Sequence, residues 1–310
     1  MGFEFYEKIS WDLGLQLSVY VLGSIIVMKM TNEVCLVTSL VPGQRMDIQY
    51  EAIQSWLNYG FEIVSLNTQS EIDKLSENFS HVRFVPQSRD GRIIAGKPVI
   101  YVNDILDYLR ETKHKICGII NSDIFLAPHY QIRERIETAV NGTLLISPRT
   151  DVSNFTAVNG TLDPYGFDAF FFEREMLTLW DQTQFCLGMP FWDHWFAIMP
   201  ILNKQTVTKF VSSGIQHIPH SVHRDHSFFF FNDHFASRII SYIKNNEVGF
   251  GLDFDHTPYE TLRAAALASE AMSISEEPKT LHFEKLAIFF DNLTKYVIRF
   301  IDERSEKIKF

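Results

Sequence analysis

Asn121, Ser122 and Asp123 close a short apolar run, Ile116 to Ile120, that is too brief for a helix and rich in β-branched residues. The pattern predicts a strand buried on both faces. A carboxylate at the carboxyl end of such a strand stands where ligands of open α/β sheets collect. With an amide two residues before it, Asp123 can present oxygen to a hard cation or a ribose hydroxyl from the same side of an extended segment. Taken alone, an Asn-x-Asp is more often an Asx turn that ends a strand. Other stretches strengthen the chemical reading. Asp168 sits in the apolar run Tyr165 to Phe172, where it must be paired, hydrogen-bonded or functional, because bare burial of a carboxylate is costly. Asp193 follows Pro190 and Trp192 in GMPFWDHWF, at the expected start of a helix running to about Met199. An acid there can simply compensate the helix dipole, or, fixed beside two tryptophans, serve as a general base. His194, about 100° further round the helix, is not expected to share that role. His217, His220, His223 and His226 recur at intervals of three around Asp225, and Pro219 keeps them off one helical face. One or two of them near Asp225 can complete a metal site with Asp123, the others being ordinary histidines.

These residues need a frame to hold them. Val34 to Leu40 is a second buried-strand pattern, followed by the turn signal Pro42-Gly43 and an amphipathic helix from about Met46 to Asn58 that Gly60 stops. Phe61 to Leu66 reads as a strand, Ser70 as the cap of a short helix through Leu75, Val82 to Val85 as another strand, and Val102 to Thr112 as a helix leading to Ile116. Beyond Asp123, a helix over about Gln131 to Val140, a strand over Leu144 to Ser147, and a helix over Arg174 to Thr183 are expected. Val207 to Ile218 reads as extended. Strands alternating with helices predict an α/β fold, a mostly parallel central sheet flanked by helices. The tail from Phe228 to Phe310 reads as helical, most clearly over Leu262 to Met272 and Phe283 to Asp302. The expected division is an N-terminal apolar segment over 1–30, a catalytic domain over 31–230 and a helical extension over 231–310.

The loop from Pro86 to Pro98 holds a false lead. Gly91 and Gly96-Lys97 have P-loop spacing, but Pro98 stands where a Ser or Thr hydroxyl should hold magnesium, and no strand immediately feeds the first glycine. Arg92 and Lys97 can still meet a diphosphate as point charges.

A chain of 310 residues, 46% hydrophobic and carrying 27 Phe, can bury a large core. Its net charge of -10, with no concentrated basic stretch, argues against a nucleic-acid partner, and an anionic ligand would need a local device such as a metal ion. Cys35, Cys117 and Cys186 are odd in number and widely spaced, which points to buried thiols in a reducing, cytoplasmic setting. Leu13 to Met28 is apolar but too short to span a bilayer, and acids precede it, so it reads as a buried or membrane-surface segment, a peripheral contact with the inner face of a membrane.

INSDIFL, followed at a distance by PFWDHWF and HRDH, resembles the GT-A glycosyltransferases in order of parts over about Val34 to His226. It is also similar to bacterial proteins in which a WDHW-like helix start precedes an H-x-x-H segment. The resemblance implies a nucleotide-sugar donor and a hydroxyl acceptor on a glycan or surface polysaccharide. It implies that Asp123 binds Mn2+ or Mg2+ bridging the donor diphosphate, that His223 or His226 completes the coordination, and that Asn121 lies near the ribose, with Ser122 also among the donor-binding residues. Thr38 and Arg45 would belong to the nucleotide-facing first loop, with Arg92 and Lys97 reaching the diphosphate. Asp193 matches the acid at which inverting members keep their base, with Asp168 the next candidate. Asn121 departs from the family pattern, where an Asp is usual, and leaves Asp123 as the motif's sole carboxylate. Two other readings remain open at this point. One is a metal-dependent hydrolase built on His217, His220, His223 and Asp225. The other is a carbohydrate-binding protein with a degenerate transferase fold.

Overall fold

The computed structural model describes residues 18–22, 25–29, 34–157, 159–163, 166–220, 226–245 and 294–309. Strands β1 (Ser18–Leu22) and β2 (Ile25–Lys29) form an antiparallel hairpin, so the described part of the apolar N-terminal stretch is extended. No helix among the described residues is long and apolar enough to cross a membrane.

The α/β architecture is as expected. Along the chain come β3 (Val34–Thr38), α1 (Met46–Asn58), β4 (Glu62–Thr68), α2 (Gln69–Leu75), β5 (Arg83–Gln87), α3 (Arg92–Ala95), α4 (Val102–Glu111) and β6 (Ile116–Ile120). Next are β7 (Ile124–Leu126), α5 (Ile132–Ala139), β8 (Thr143–Ser147), β9 (Thr150–Asp151), β10 (Thr161–Leu162) and β11 (Ala169–Glu173). The last part holds α6 (Trp192–Leu202), β12 (Thr206–Val211), β13 (Ile215–His217), α7 (His226–Asn245), a helix over 294–304 and β14 (Glu306–Lys309). The central sheet has eight strands in the order β14-β12-β8-β11-β6-β3-β4-β5, parallel throughout except for β11, which runs against both β6 and β8.

Period-two alternation divides the strand residues between two layers of core. Val37, Ile119 and Phe172 face the layer of α4, α6 and α7, and Leu36, Ile120 and Phe171 face that of α1 and α5. Every residue of β6 is therefore buried, which explains its unbroken apolar run. Gly118 sits there because a Cβ would run into the side chains of Leu36 and Phe171.

Some local expectations shift. Thr68 rather than Ser70 caps α2, in a capping box with Glu71. Arg174 opens a 3-10 helix that ends at Leu179, shorter than the α-helix expected through Thr183. The tail ends in a strand: β14 joins the sheet edge beside β12 instead of continuing the helix. Leu262 to Met272 lies outside the described residues.

Candidate functional site

The carboxyl ends of β3, β6 and β8 lie along one edge of the sheet. The antiparallel β11 begins at that same edge, since Ala169 is registered with both Ile120 and Ser147. Asn121, just after β6, Asp168, just before β11, and Ser147, the last residue of β8, therefore meet at that edge. Asn121 N–H donates to the Asp168 carbonyl (2.9 Å) and Asp168 N–H to the Ser147 carbonyl (3.2 Å), so two site segments are stitched by backbone alone.

A second, four-stranded sheet, β10-β9-β13-β7, forms the wall beyond that edge. Within it β13 pairs antiparallel with β7 and parallel with β9, so that His217 lies opposite both Ile124 and Asp151. This register is what sets an imidazole beside Asp123. Helix α1 holds β7 from behind: Trp56 Nε1 donates to the Ile124 carbonyl (2.7 Å), Tyr59 to the Ala127 carbonyl (2.6 Å), and Leu126 N–H to Ser55 Oγ (2.9 Å). The loop from β3 into α1 is pinned by Gln49, whose amide both accepts from Val41 N–H (2.8 Å) and donates to the Val41 carbonyl (2.9 Å). Asn67 adds a bond to the Leu40 carbonyl (2.8 Å).

A closed circuit of polar contacts results, beginning and ending in the Asn121–Asp123 turn. Asn121 Nδ2 donates to Asp168 Oδ1 (2.6 Å), and Arg149 Nη1 donates to Asp168 Oδ2 (3.0 Å). Arg149 also pairs with Asp151 (3.1 Å) and Asp163 (3.0 Å). Asp151 Oδ1 lies 2.8 Å from His217 Nδ1, and His217 Nε2 lies 3.4 Å from Asp123 Oδ2. His220 Nε2 approaches the same oxygen at 3.6 Å, and Arg45 Nη1 donates to it at 2.9 Å.

Asp123, His217 and His220 can each aim one ligand atom at a common point, all within 4.8 Å of one another. The donor set suits a divalent ion. Asp151 accepts a hydrogen bond from His217 Nδ1, as carboxylates behind metal-bound imidazoles do, which leaves Nε2 as the ring atom that faces Asp123. His217 Nε2 and Asp123 Oδ2, 3.4 Å apart, are placed to share a proton or a cation between them. Burial would raise the Asp123 carboxyl, but the His217 and His220 contacts and the Arg45 charge outweigh it and hold Asp123 well below the usual carboxylate range.

Asp168 behaves differently. Its burial, reinforced by the charges of Asp123 and Asp193, pushes its carboxyl up against the opposing pull of Arg149. The third carboxylate is close by: Asp193 Oδ2 accepts from Phe167 N–H at 3.3 Å, one residue before Asp168. Asp193 Oδ1 lies 2.9 Å from His194 Nδ1, so His194 shares the site that it was expected to leave to its neighbour. The i,i+1 pair meets because it lies in the first turn of α6, after Phe191 in a left-handed conformation (φ 67°). Burial raises the Asp193 carboxyl, but the His194 charge and the hydrogen bonds to the carboxylate outweigh it, for a net downward shift. Further along α6, Pro200 offers no N–H to the Phe196 carbonyl, and Trp180 Nε1 takes that acceptor at 3.0 Å.

Of the other expected ligand residues, Thr38 ends β3, fully buried, with its hydroxyl lacking a partner among the described residues. Ser122 stands half-buried in the turn. Arg92 pairs with Asp90 on α3. No hydrogen bond or ion pair joins Arg92 or Lys97 to the circuit among the described residues. His223 lies outside those residues, as does the side chain of His226, which begins α7. The sequence reading missed Arg149 and Asp151. Their signal was the spacing Arg-x-Asp directly after β8, which puts both on one side of an extended segment.

No family model matches the chain, and no curated protein matches its sequence. Among solved structures, it is similar to the mannosyltransferase PcManGT from Pyrobaculum calidifontis in complex with GDP-Man and Mn2+, with 12% identity, 86% of this chain and 85% of that one covered, and a TM-score of 0.44. It is similar to S. aureus TarS over residues 1–349 (8% identity, 87% and 91% covered, TM-score 0.42). A third likeness is to 4-diphosphocytidyl-2C-methyl-D-erythritol synthase from Anaerococcus prevotii (8% identity, 64% and 94% covered, TM-score 0.38). At such identities these are likenesses of backbone course, and none assigns a side chain.

Proposed function

We propose that this protein transfers a sugar from a nucleoside-diphosphate donor to a hydroxyl acceptor, using a divalent cation, Mn2+ or Mg2+, held by Asp123, His217 and His220. The observation that carries the reading is the convergence of His217 and His220 on Asp123 Oδ2 at the carboxyl edge of a mostly parallel sheet, where such folds place their ligands. The acceptor is a glycan or polysaccharide hydroxyl. Held at this triad, a cation neutralises the charge that develops on the departing nucleoside diphosphate.

The chain's own residues supply the rest. Asn121, its amide nitrogen committed to Asp168, keeps its carbonyl oxygen for a ribose hydroxyl, and Ser122 lies beside it. Arg45, Arg92 and Lys97 are the cations available to the diphosphate from the loops after β3 and β5. Asp193 receives the acceptor proton. Its Oδ1 is committed to the His194 ring, so Oδ2, which accepts the longer bond from Phe167 N–H, is the oxygen that takes it. A carboxylate held below its ordinary range is a weak base, and the Asp193–His194 pair rather than the lone acid is the accepting unit. Asp168 ties Asn121 to Arg149 and so positions the turn.

The test is a thermal-melting screen of nucleoside diphosphates and nucleotide-sugars with and without Mn2+. At least one diphosphate should raise the melting temperature only when Mn2+ is present, and Asp123→Ala should abolish that dependence. No stabilisation by any diphosphate would sink the reading. A second reading is favoured by the donor set itself, since two imidazoles and one carboxylate also suit a transition-metal hydrolase. Such an enzyme would keep its metal through purification and ignore nucleoside diphosphates.

A further inference from the structure

Arg45 is held against two local preferences. Its backbone is left-handed (φ 45°), which side-chain-bearing residues rarely adopt, and it places a cation at the N-terminus of α1, where the helix dipole disfavours one. The compensation lies in the site. Nη1 donates to Asp123 Oδ2 at 2.9 Å, and Nη2 donates to the Ile218 carbonyl at 2.5 Å. The oxygen that Arg45 occupies is the one that His217 and His220 face. With 28% of the Arg45 side chain and 21% of that of Asp123 exposed, the pair stands at an open mouth, not in a sealed core.

We propose that Arg45 is the resident counter-ion of the Asp123–His217–His220 site, and that it sets the affinity for a divalent cation by competing for Asp123 Oδ2. A guanidinium and a divalent ion repel strongly when they share one carboxylate oxygen with no anion between them. The cation alone therefore binds weakly. An anion that draws Arg45 away from Asp123 strengthens cation binding, and by linkage the cation strengthens anion binding by the same factor. That the anion is a nucleoside diphosphate rests on the transferase reading; the competition between Arg45 and the cation rests on the geometry alone. The Ile218 contact also ties Arg45 to the segment that carries His220, since that carbonyl precedes His220 by two residues.

The experiment titrates Mn2+ into the parent protein and Arg45→Met without nucleotide, reading bound ion from loss of the free-Mn2+ electron paramagnetic resonance signal. Arg45→Met should bind Mn2+ about tenfold more tightly or better, which is within the range of ordinary coupling between sites. Arg45→Lys keeps a charge but loses the planar fork, and should fall between the two. Equal or weaker binding by Arg45→Met, with an unchanged circular dichroism spectrum, overturns the proposal. If Arg45→Met does not fold, Arg45→Lys decides alone: parental or weaker affinity overturns it. No Mn2+ binding by any of the three proteins at millimolar concentration also overturns it. Repeating the titration with UDP, GDP, CDP and ADP separates the two readings. A tighter Arg45→Met with no nucleotide effect on any protein upholds the competition and removes the nucleoside diphosphate as its anion.

Discussion

His217 Nδ1 donates to Asp151 Oδ1 across 2.8 Å, and this bond turns the other nitrogen of the ring toward Asp123. Asp151→Ala frees the ring to rotate, and Mn2+ affinity should fall about 10- to 100-fold. Asp151→Asn should lose less, because an amide oxygen still accepts the Nδ1 proton. Titration of the two variants checks this; an unchanged affinity in Asp151→Ala would remove His217 from the coordination set.

Asp193 has two roles that different measurements separate. Asp193→Asn keeps an oxygen for Phe167 N–H but cannot take the acceptor proton, so transfer should fall by a factor on the order of 100 or more while nucleoside-diphosphate binding stays as it was. Transfer at the parental rate would move the base elsewhere. His194 does not serve as a neutral control, since it contacts the carboxylate; His194→Phe should slow transfer as well, by a smaller factor.

The downward shift at Asp193 fixes the sign of its pH effect on stability. Its folded-state carboxyl titrates below the unfolded value of about 4, so the unfolded chain binds more protons as pH falls. The stability it contributes is present above about pH 4 and is lost below it. Asp168, shifted upward by burial, acts in the opposite sense, its contribution waning as pH rises through its folded value. Melting curves taken from pH 7 to pH 3 should therefore drop below about pH 4, and Asp193→Asn should drop less steeply. An equally steep fall in that variant would show that Asp193 is not the group responsible.

Removing Asp168 should weaken the fold before it weakens the chemistry. Arg149 would keep Asp151 and Asp163 but lose its most buried partner, at about 2–3 kcal/mol, less than the full penalty for breaking a buried pair. Urea denaturation of Asp168→Ala measures this. Parental stability with lost transfer would instead make Asp168 a direct participant.

The sheet was legible where local signals coincide. The helix from about Met46 to Asn58 was legible because a Pro-Gly turn precedes it and Gly60 closes it, and Ile116 to Ile120 because burial on both faces leaves no polar residue in the run. Asp168 was legible as an acid inside an apolar run, and Asp123 and Asp193 as acids at a strand end and a helix start, where an ordinary turn or dipole role competed with the chemical one. Which histidines join Asp123 was not legible. Their choice depends on β13 pairing with β7 and β9, strands of two or three residues whose register leaves no periodic trace. β14 was missed for a related reason: Glu-Lys-Ile-Lys is a charged edge strand with almost no apolar content.

The short β13 has a bearing on how the molecule comes to exist at all. Arg45 and Asp123 are 78 positions apart, and Arg45 and Ile218 are 173 apart, so the circuit closes only through contacts that link the first strands to the last third of the described chain. Such contacts repay their loop-closure entropy late. A nascent chain can pair β3, β4, β5 and β6 as it emerges, yet it has no cation site until His217 docks. A chain cut before Thr206 would keep α1 against β7 and still lack two of the three groups that converge on Asp123, leaving the central strands assembled and inert.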